Sequence, residues 1–184
     1  MTVLKAFDLY ILNFIYNNLH NYLMDRLMVA ATSLGNMGLI WIIISAVLIC
    51  IPKYRKVGIL TISAVILSSF IGECLLKHLI NRPRPFVDVP AVKMLIEKPL
   101  TNSFPSDHTS AAFAAATVLS FAFKKYRKYF FTLAIIIAFS RLYLYVHYPS
   151  DIIGGIILGL ISSKVVLLFS EVIKNRQGRK ILKI

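Results

Sequence analysis

Residues 57–80 read VGILTISAVILSSFIGECLLKHLI, a run of 24 positions whose only charged or imidazole side chains, Glu73, Lys77 and His78, fall in its last third. A helix needs ~20 predominantly apolar residues to cross a bilayer core, with a working range of ~17–25. It also satisfies its own backbone groups where no water can reach them. The stretch therefore reads as a membrane-spanning helix. Four further runs, 37–51, 109–123, 129–146 and 152–173, approach or meet the same length. The first is short unless extended backwards through Gly35 and Gly38. Residues 4–34 are harder to place, because Asn13, Asn17, Asn18, His20 and Asn21 interrupt the apolar residues Phe7, Leu9, Ile11, Phe14 and Ile15 and part them from 23–34. An interfacial helix with a half-span and a polar first span both fit. The expectation is an all-α integral membrane protein, five clear spans plus an N-terminal helix packed on the bundle. Without repeats or low-complexity linkers, residues 1–184 read as a single membrane-embedded domain.

Composition agrees. The chain is 58 % hydrophobic with a mean hydropathy of +0.72; a water-soluble protein so apolar would expose large apolar patches. The formal net charge of +13 raises the question of nucleic acid, and its placement argues against that. Twelve of the 21 basic residues lie in three short stretches. These are Lys53, Arg55 and Lys56; Lys124, Lys125, Arg127 and Lys128; and Lys174, Arg176, Arg179, Lys180 and Lys183. Each stretch lies between or after apolar runs, the pattern of cytoplasmic loops that set topology and touch anionic headgroups. Cys50 and Cys74 fall inside apolar runs and read as small buried hydrophobes. No cleavable signal peptide is expected. With the basic stretches on the cytoplasmic side, the segment 81–108 and the turn at 147–151 come together on the opposite, extracytoplasmic face of the cell membrane.

Ionisable residues at membrane depth are costly and usually functional. Near that outer face lie Glu73, Lys77, Arg82, Arg84, Asp107, His108, Arg141, His147 and Asp151. They come from three segments: Lys77 to Pro85, Phe104 to His108, and Ser140 to Asp151. Phosphoryl transfer explains this set of residue types. The transferring group spreads negative charge over its equatorial oxygens, so it needs positioned cations. Lys77, Arg84 and Arg141 supply three, and the arginine fork matches phosphate oxygens. A helix opening after Pro105 adds backbone donors, and Ser106 a hydroxyl. A histidine nucleophile with a second histidine as acid then needs no metal cluster. His147 and Asp151 are four apart across a helix start. If Asp151 accepts from one ring nitrogen it fixes the tautomer and frees the other to attack. Glu73, four before Lys77, is placed to hold that lysine charged and aimed.

These segments resemble the three signature motifs of the type-2 phosphatidic acid phosphatase superfamily, which includes lipid phosphatases and vanadium haloperoxidases. The family patterns are Lys-x6-Arg-Pro, Pro-Ser-Gly-His and Ser-Arg-x5-His-x3-Asp. Lys77, Arg84 and Pro85 match the first; Ser140, Arg141, His147 and Asp151 match the third; Pro105, Ser106 and His108 match the second, with Asp107 where most relatives carry glycine. The resemblance implies that His147 forms a phosphohistidine, that His108 protonates the leaving oxygen, that Asp151 orients His147, and that about six helices form the bundle. It implies no cofactor and no resident metal. Asp107 and the preceding loop are similar to bacitracin-resistance undecaprenyl pyrophosphate phosphatases, which recycle the carrier lipid of cell-wall peptidoglycan synthesis. A phosphatidylglycerol phosphate or phosphatidate phosphatase and a lipid phosphotransferase are the alternatives; a non-catalytic anion channel would not need both histidines. The expected partners are a polyprenyl or glycerolipid phosphate substrate and membrane lipids, with no obligate protein partner.

Three lesser expectations complete the reading. Asp107 either pairs with Arg84 or Arg141 or discriminates the distal phosphate of a diphosphate, with Lys93 and Lys98 adding positive charge. Arg82, in the same loop but off the motifs, reads as an interfacial charge or a headgroup contact, and His78 and His20 are interfacial. Tyr143, Tyr145 and Tyr148 anchor at the outer membrane interface.

Overall fold

The computed structural model describes residues 3–176, and among them every regular element is helical. In chain order these are α1 (Val3–Leu19), α2 (Tyr22–Gly35), α3 (Leu39–Cys50), α4 (Arg55–Phe70), α5 (Lys77–Ile80), α6 (Pro85–Asp88), α7 (Asp107–Ala122), α8 (Arg127–Tyr143) and α9 (Pro149–Arg176). α4 runs into α5 through a π-helical segment, Ile71–Leu76. α2 runs into α3 through a kink at Asn36–Gly38, where Met37 and Gly38 have φ of 51° and 69°. Counting each continuous pair once and leaving aside the short α6, the described residues form a bundle of six helices. Residues 177–184, with Arg179, Lys180 and Lys183 of the expected basic tail, lie outside the described residues.

The asparagine-rich stretch that obscured the N-terminal reading resolves into partners. The Asn21 side chain accepts from the Met24 N–H at 3.0 Å and caps α2, satisfying a donor that a helix start leaves open. Asn13 accepts from the Tyr145 hydroxyl at 2.7 Å. α1 turns Val3, Phe7, Tyr10 and Phe14 outward and buries Asp8, Leu12 and Ile15. It is thus a helix with an apolar outer face and a carboxylate on its inner one, as suits a helix packed in lipid.

α7 forms the centre and packs against α4, α8 and α9. Its buried residues include Ala111, Ala112, Ala114, Ala115 and Ala116, and it meets Gly155 and Gly159 of α9. A Cβ on Gly159 would lie 2.5 Å from the Ser110 carbonyl oxygen, and one on Gly155 2.7 Å from that of Ser106. Between lipid-facing helices there is no hydrophobic driving force, so close backbone approach over small residues carries the association. The segments Tyr22–Cys50, Arg55–Asp88 and Pro149–Val172 have the length and composition to cross a bilayer. α7 and α8 have 16 and 17 residues, about 24–26 Å at the helical rise, which is short for a span.

The two ends of the bundle differ as expected. At one end the Tyr54 and Phe123 rings meet at 5.2 Å, which sets the basic turns at 53–56 and 124–128 side by side. At the other, Lys77 donates to Thr101 and the Ser106 N–H donates to the Asp151 carbonyl at 3.2 Å. Lys164 is exposed on α9 and Trp41 is buried in the core. The three tyrosines do not anchor at an interface. Tyr143, Tyr145 and Tyr148 are buried, with hydroxyls on Asp25, Asn13 and Asp88, because the end of α8 and the segment joining it to α9 pack under α1 and α2.

Replacing Gly159 with leucine should push α9 off α7 and cost about 1–3 kcal/mol. Thermal unfolding in detergent checks it: the midpoint falls for Gly159→Leu and stays near wild type for Lys164→Leu on the outer face of the same helix.

Candidate active site

The site gathers where α5, the loop before α7, the end of α8 and the start of α9 converge. Lys77 follows the π-helical segment that carries Glu73, and such segments recur at functional sites because they re-aim the residues after them. Its ammonium pairs with the Glu73 carboxylate and donates to the Thr101 hydroxyl at 3.0 Å. The pairing expected from the four-residue spacing is present. Arg84 is held extended just before Pro85, the first residue of α6. It donates from Nε to the Thr101 carbonyl at 2.7 Å, from Nη1 to the Val146 carbonyl at 2.9 Å and from Nη2 to the Thr101 hydroxyl at 3.2 Å. Arg141, in the last turn of α8, donates to the Thr32 hydroxyl, while its Nε is buried without a protein acceptor. Lys77, Arg84 and Arg141 are each 4 % exposed. Among the described residues, neither Arg84 nor Arg141 is in an ion pair.

His147 is buried in the segment between α8 and α9, which Tyr145 turns with a φ of 58°. Its Nε2 lies 3.2 Å from Arg84 Nη1. An arginine N–H only donates, so Nε2 receives and the ring proton belongs on Nδ1. Burial and then the cations Arg84, Arg141 and Lys77 hold this imidazole well below its ordinary 6.5; it is neutral at physiological pH.

Asp151 is in the first turn of α9. Its Oδ2 accepts from the Tyr148 N–H at 2.8 Å and the Ser103 hydroxyl at 2.5 Å, and its Oδ1 from Arg82 at 2.7 Å. The bond to Tyr148 reaches back over the helix start as a capping box does. The expected bond from His147 is not formed: Nδ1 stands 3.6 Å from Oδ2, with the Ser103 backbone alongside. His147 precedes the helix rather than lying on it, and Ser103 and Tyr148 already take Oδ2.

His108 opens α7 with Nε2 3.0 Å from the Asn36 side-chain oxygen. Ser106 is the residue before α7, and its hydroxyl accepts from Thr109 at 3.0 Å. Asp107 forms no ion pair among the described residues, so the expected pairing with Arg84 or Arg141 is absent. Its neighbours are Ser69, Glu73, Lys77 and Arg141. Ser140 donates to the Ile137 carbonyl of its own helix at 2.7 Å. Pro105 follows a cis peptide bond and packs near Gly72.

Several residues here escaped the sequence reading: Asp8, Thr32, Asn36, Thr101, Ser103 and Ser150. The Thr101 hydroxyl receives both Lys77 and Arg84. Arg82, set aside as an off-motif loop residue, binds Asp8 and Asp151. A signal for Asp8 existed, since an acid inside an apolar helix is expensive.

The depressed His147 pKa predicts that its imidazole stays neutral as pH falls from 7.5 through 6.5, an ordinary histidine's midpoint. Nitrogen NMR of labelled histidine checks it: no protonation of His147 near 6.5, and an upward shift of its titration in Arg84→Gln, which removes one of the opposing cations.

A family model described as the PAP2 superfamily matches residues 57–174. The bacitracin transport permease protein BcrC of Bacillus licheniformis is 33 % identical over 114 residues, 62 % of this chain and 56 % of that protein. The undecaprenyl-diphosphatase of Sulfolobus acidocaldarius is 31 % identical over 65 % of this chain and 58 % of its own length, so the matches to these two span little more than half of each. Undecaprenyl-diphosphatase BcrC of Bacillus subtilis is 28 % identical over 84 % of this chain and 79 % of its own. Two crystal structures share the fold. LpxE of Aquifex aeolicus superposes with a TM-score of 0.79 at 30 % identity, over 91 % of this chain and 99 % of that one. A PAP2-type phosphatidylglycerolphosphate phosphatase of Bacillus subtilis superposes with a TM-score of 0.76 at 26 % identity, over 95 % and 89 %. The family match takes in all three site segments, and the chain belongs to the PAP2 superfamily.

Proposed function

We propose that the chain is a lipid phosphatase of the cell membrane that works through a phosphohistidine at His147, at the extracytoplasmic face. One observation carries the reading: among the described residues Arg84 and Arg141 are buried without an ion-pair partner, beside a neutral imidazole. Buried charge is stable only when compensated, and a phosphate group supplies the missing anion. Lys77, Arg84 and Arg141 bind the non-bridging oxygens, with backbone donors at the start of α7. Nε2 of His147 attacks phosphorus, the bond to the leaving oxygen breaks, and His108 protonates that oxygen. Water then attacks the phosphohistidine and gives a proton to His108, the phosphorus–nitrogen bond breaks, and inorganic phosphate leaves with both rings restored. Asp151 faces the Nδ1–H and supports the charge the ring gains as it attacks. The 3.6 Å separation is of the loose kind that closes once substrate is bound. The chemical step uses these cations in place of a divalent metal.

The favoured substrate is undecaprenyl diphosphate, hydrolysed to undecaprenyl phosphate and phosphate. The relatives from Sulfolobus acidocaldarius and Bacillus subtilis carry undecaprenyl-diphosphatase in their names, and Asp107 departs from the usual family glycine beside the cations. The second reading is a phosphatidylglycerolphosphate phosphatase, the activity for which the Bacillus subtilis structural neighbour is named. Phosphate release by purified protein separates them. Undecaprenyl diphosphate should be preferred over phosphatidylglycerol phosphate and phosphatidate, with activity retained in EDTA. His147→Ala should reduce it by about 10³-fold or more. Asp107→Gly should shift the ratio towards monoesters more than it lowers total activity. A preference for glycerolipids in the wild-type enzyme overturns the substrate and leaves the mechanism standing.

The outward orientation follows from the basic turns at the opposite end of the bundle. Cysteines placed singly at positions 93 and 125 test it with an impermeant thiol reagent on intact cells, in a background lacking Cys50 and Cys74. Position 93 should label and position 125 should not; the reverse pattern inverts the topology.

A further inference from the structure

α1 lies outside the residues matched by the family model, yet it brings a buried carboxylate to the site. Asp8 is 1 % exposed. Its Oδ2 pairs with Arg82 Nη2 at 2.7 Å and accepts from the Ser150 hydroxyl at 2.5 Å; its Oδ1 accepts from the Ser150 N–H at 3.0 Å. The other prong of Arg82 donates to Asp151 Oδ1 at 2.7 Å and to the Ser150 hydroxyl at 2.6 Å. One guanidinium thus spans two buried carboxylates, one from α1 and one at the start of α9. The Arg82 guanidinium carbon lies 4.0 Å from the centre of the Tyr148 ring, and the Tyr148 hydroxyl bonds Asp88, which pairs with Lys5 of α1 at 2.7 Å. α1 therefore grips Arg82 directly through Asp8 and indirectly through Lys5.

This geometry exceeds what anchoring a helix requires. A planar two-pronged cation held at both prongs has one orientation, and its second prong fixes where Asp151 Oδ1 stands. The other Asp151 oxygen is the one that faces His147. We propose that Asp8 is a positioning residue for the phosphatase reaction, acting through Arg82 on Asp151 and so on His147, which makes α1 part of the catalytic apparatus. The inference rests on the proposed role of His147 and Asp151.

The test compares steady-state kinetics, vanadate inhibition and thermal unfolding for Asp8→Asn, Arg82→Gln, Arg82→Lys and the double variant Asp8→Asn/Arg82→Gln, with His147→Ala as control. Misplacing a reacting group typically costs about 10–100-fold. Asp8→Asn should lower kcat by about tenfold or more with KM and vanadate affinity within about twofold of wild type. Those last two report the phosphate site, which general damage would also weaken. Arg82→Lys should resemble Arg82→Gln, because a point charge cannot span both carboxylates. The double variant should be no worse than the poorer single, since both act through one path. If Asp8→Asn proves too unstable to purify, Ser150→Ala replaces it. That change removes the hydroxyl bridging Asp8 and Arg82 while keeping both charges, and should lower kcat with KM unchanged. Wild-type kcat in Asp8→Asn or in Ser150→Ala, even with reduced thermal stability, overturns the inference. Full activity in His147→Ala would instead overturn the reading beneath it.

Discussion

Two arginines, Arg84 and Arg141, are buried at one end of an apolar helical bundle with no carboxylate bonded to either among the described residues, and the surrounding structure is arranged around that electrostatic debt. Of the nearby acids, Asp107 lies near Arg141 without pairing with it, and the others are engaged elsewhere. Glu73 is on Lys77, while Asp8 and Asp151 share Arg82. Neutral oxygens from Thr32, Thr101 and Val146 hold the two guanidiniums in place. Such acceptors orient a cation without neutralising it, so its attraction for an incoming anion survives. The same field keeps the His147 imidazole neutral. In the proposed reaction, binding of the phosphate and activation of the nucleophile thus have one cause.

Close helix packing makes this charge density sustainable. α7 approaches α9 over glycine and α4 over alanine, with the starts of α7 and α9 brought together by the backbone bond between Ser106 and Asp151. The helix starts and the cations thereby converge on one side. A looser bundle would admit water among the cations and weaken every electrostatic term in the site.

Much of this was legible in the sequence, for identifiable reasons. The apolar runs marked the membrane class because a bilayer fixes a length. The triplet Lys77, Arg84 and Arg141 with His108, His147 and Asp151 was legible because polar groups at such depth are rare and their spacings are recognisable. What escaped depends on tertiary contact. Nothing local says that Met37 and Gly38 break an apolar stretch to bring Asn36 to His108. The tyrosines at 143, 145 and 148 carry the composition of an interfacial belt, and the inward fold of their segment buries them. Arg82 lies two residues from Arg84 in a loop rich in proline and arginine, and only the position of α1 decides that it serves Asp151. The His147 to Asp151 spacing across the helix start suggested a bond between them, whereas Ser103 and Tyr148 occupy the facing carboxylate oxygen and leave the pair 3.6 Å apart.

Trapping the intermediate tests the central claim most directly. Mixing the purified enzyme with labelled undecaprenyl diphosphate, quenching in base within one turnover and mapping the label by mass spectrometry should yield a base-stable, acid-labile phosphate on His147. His147→Ala should yield none while still binding vanadate at the three cations. A label on another residue, or turnover with no phosphoenzyme in a wild-type enzyme quenched on the same timescale, would contradict the account.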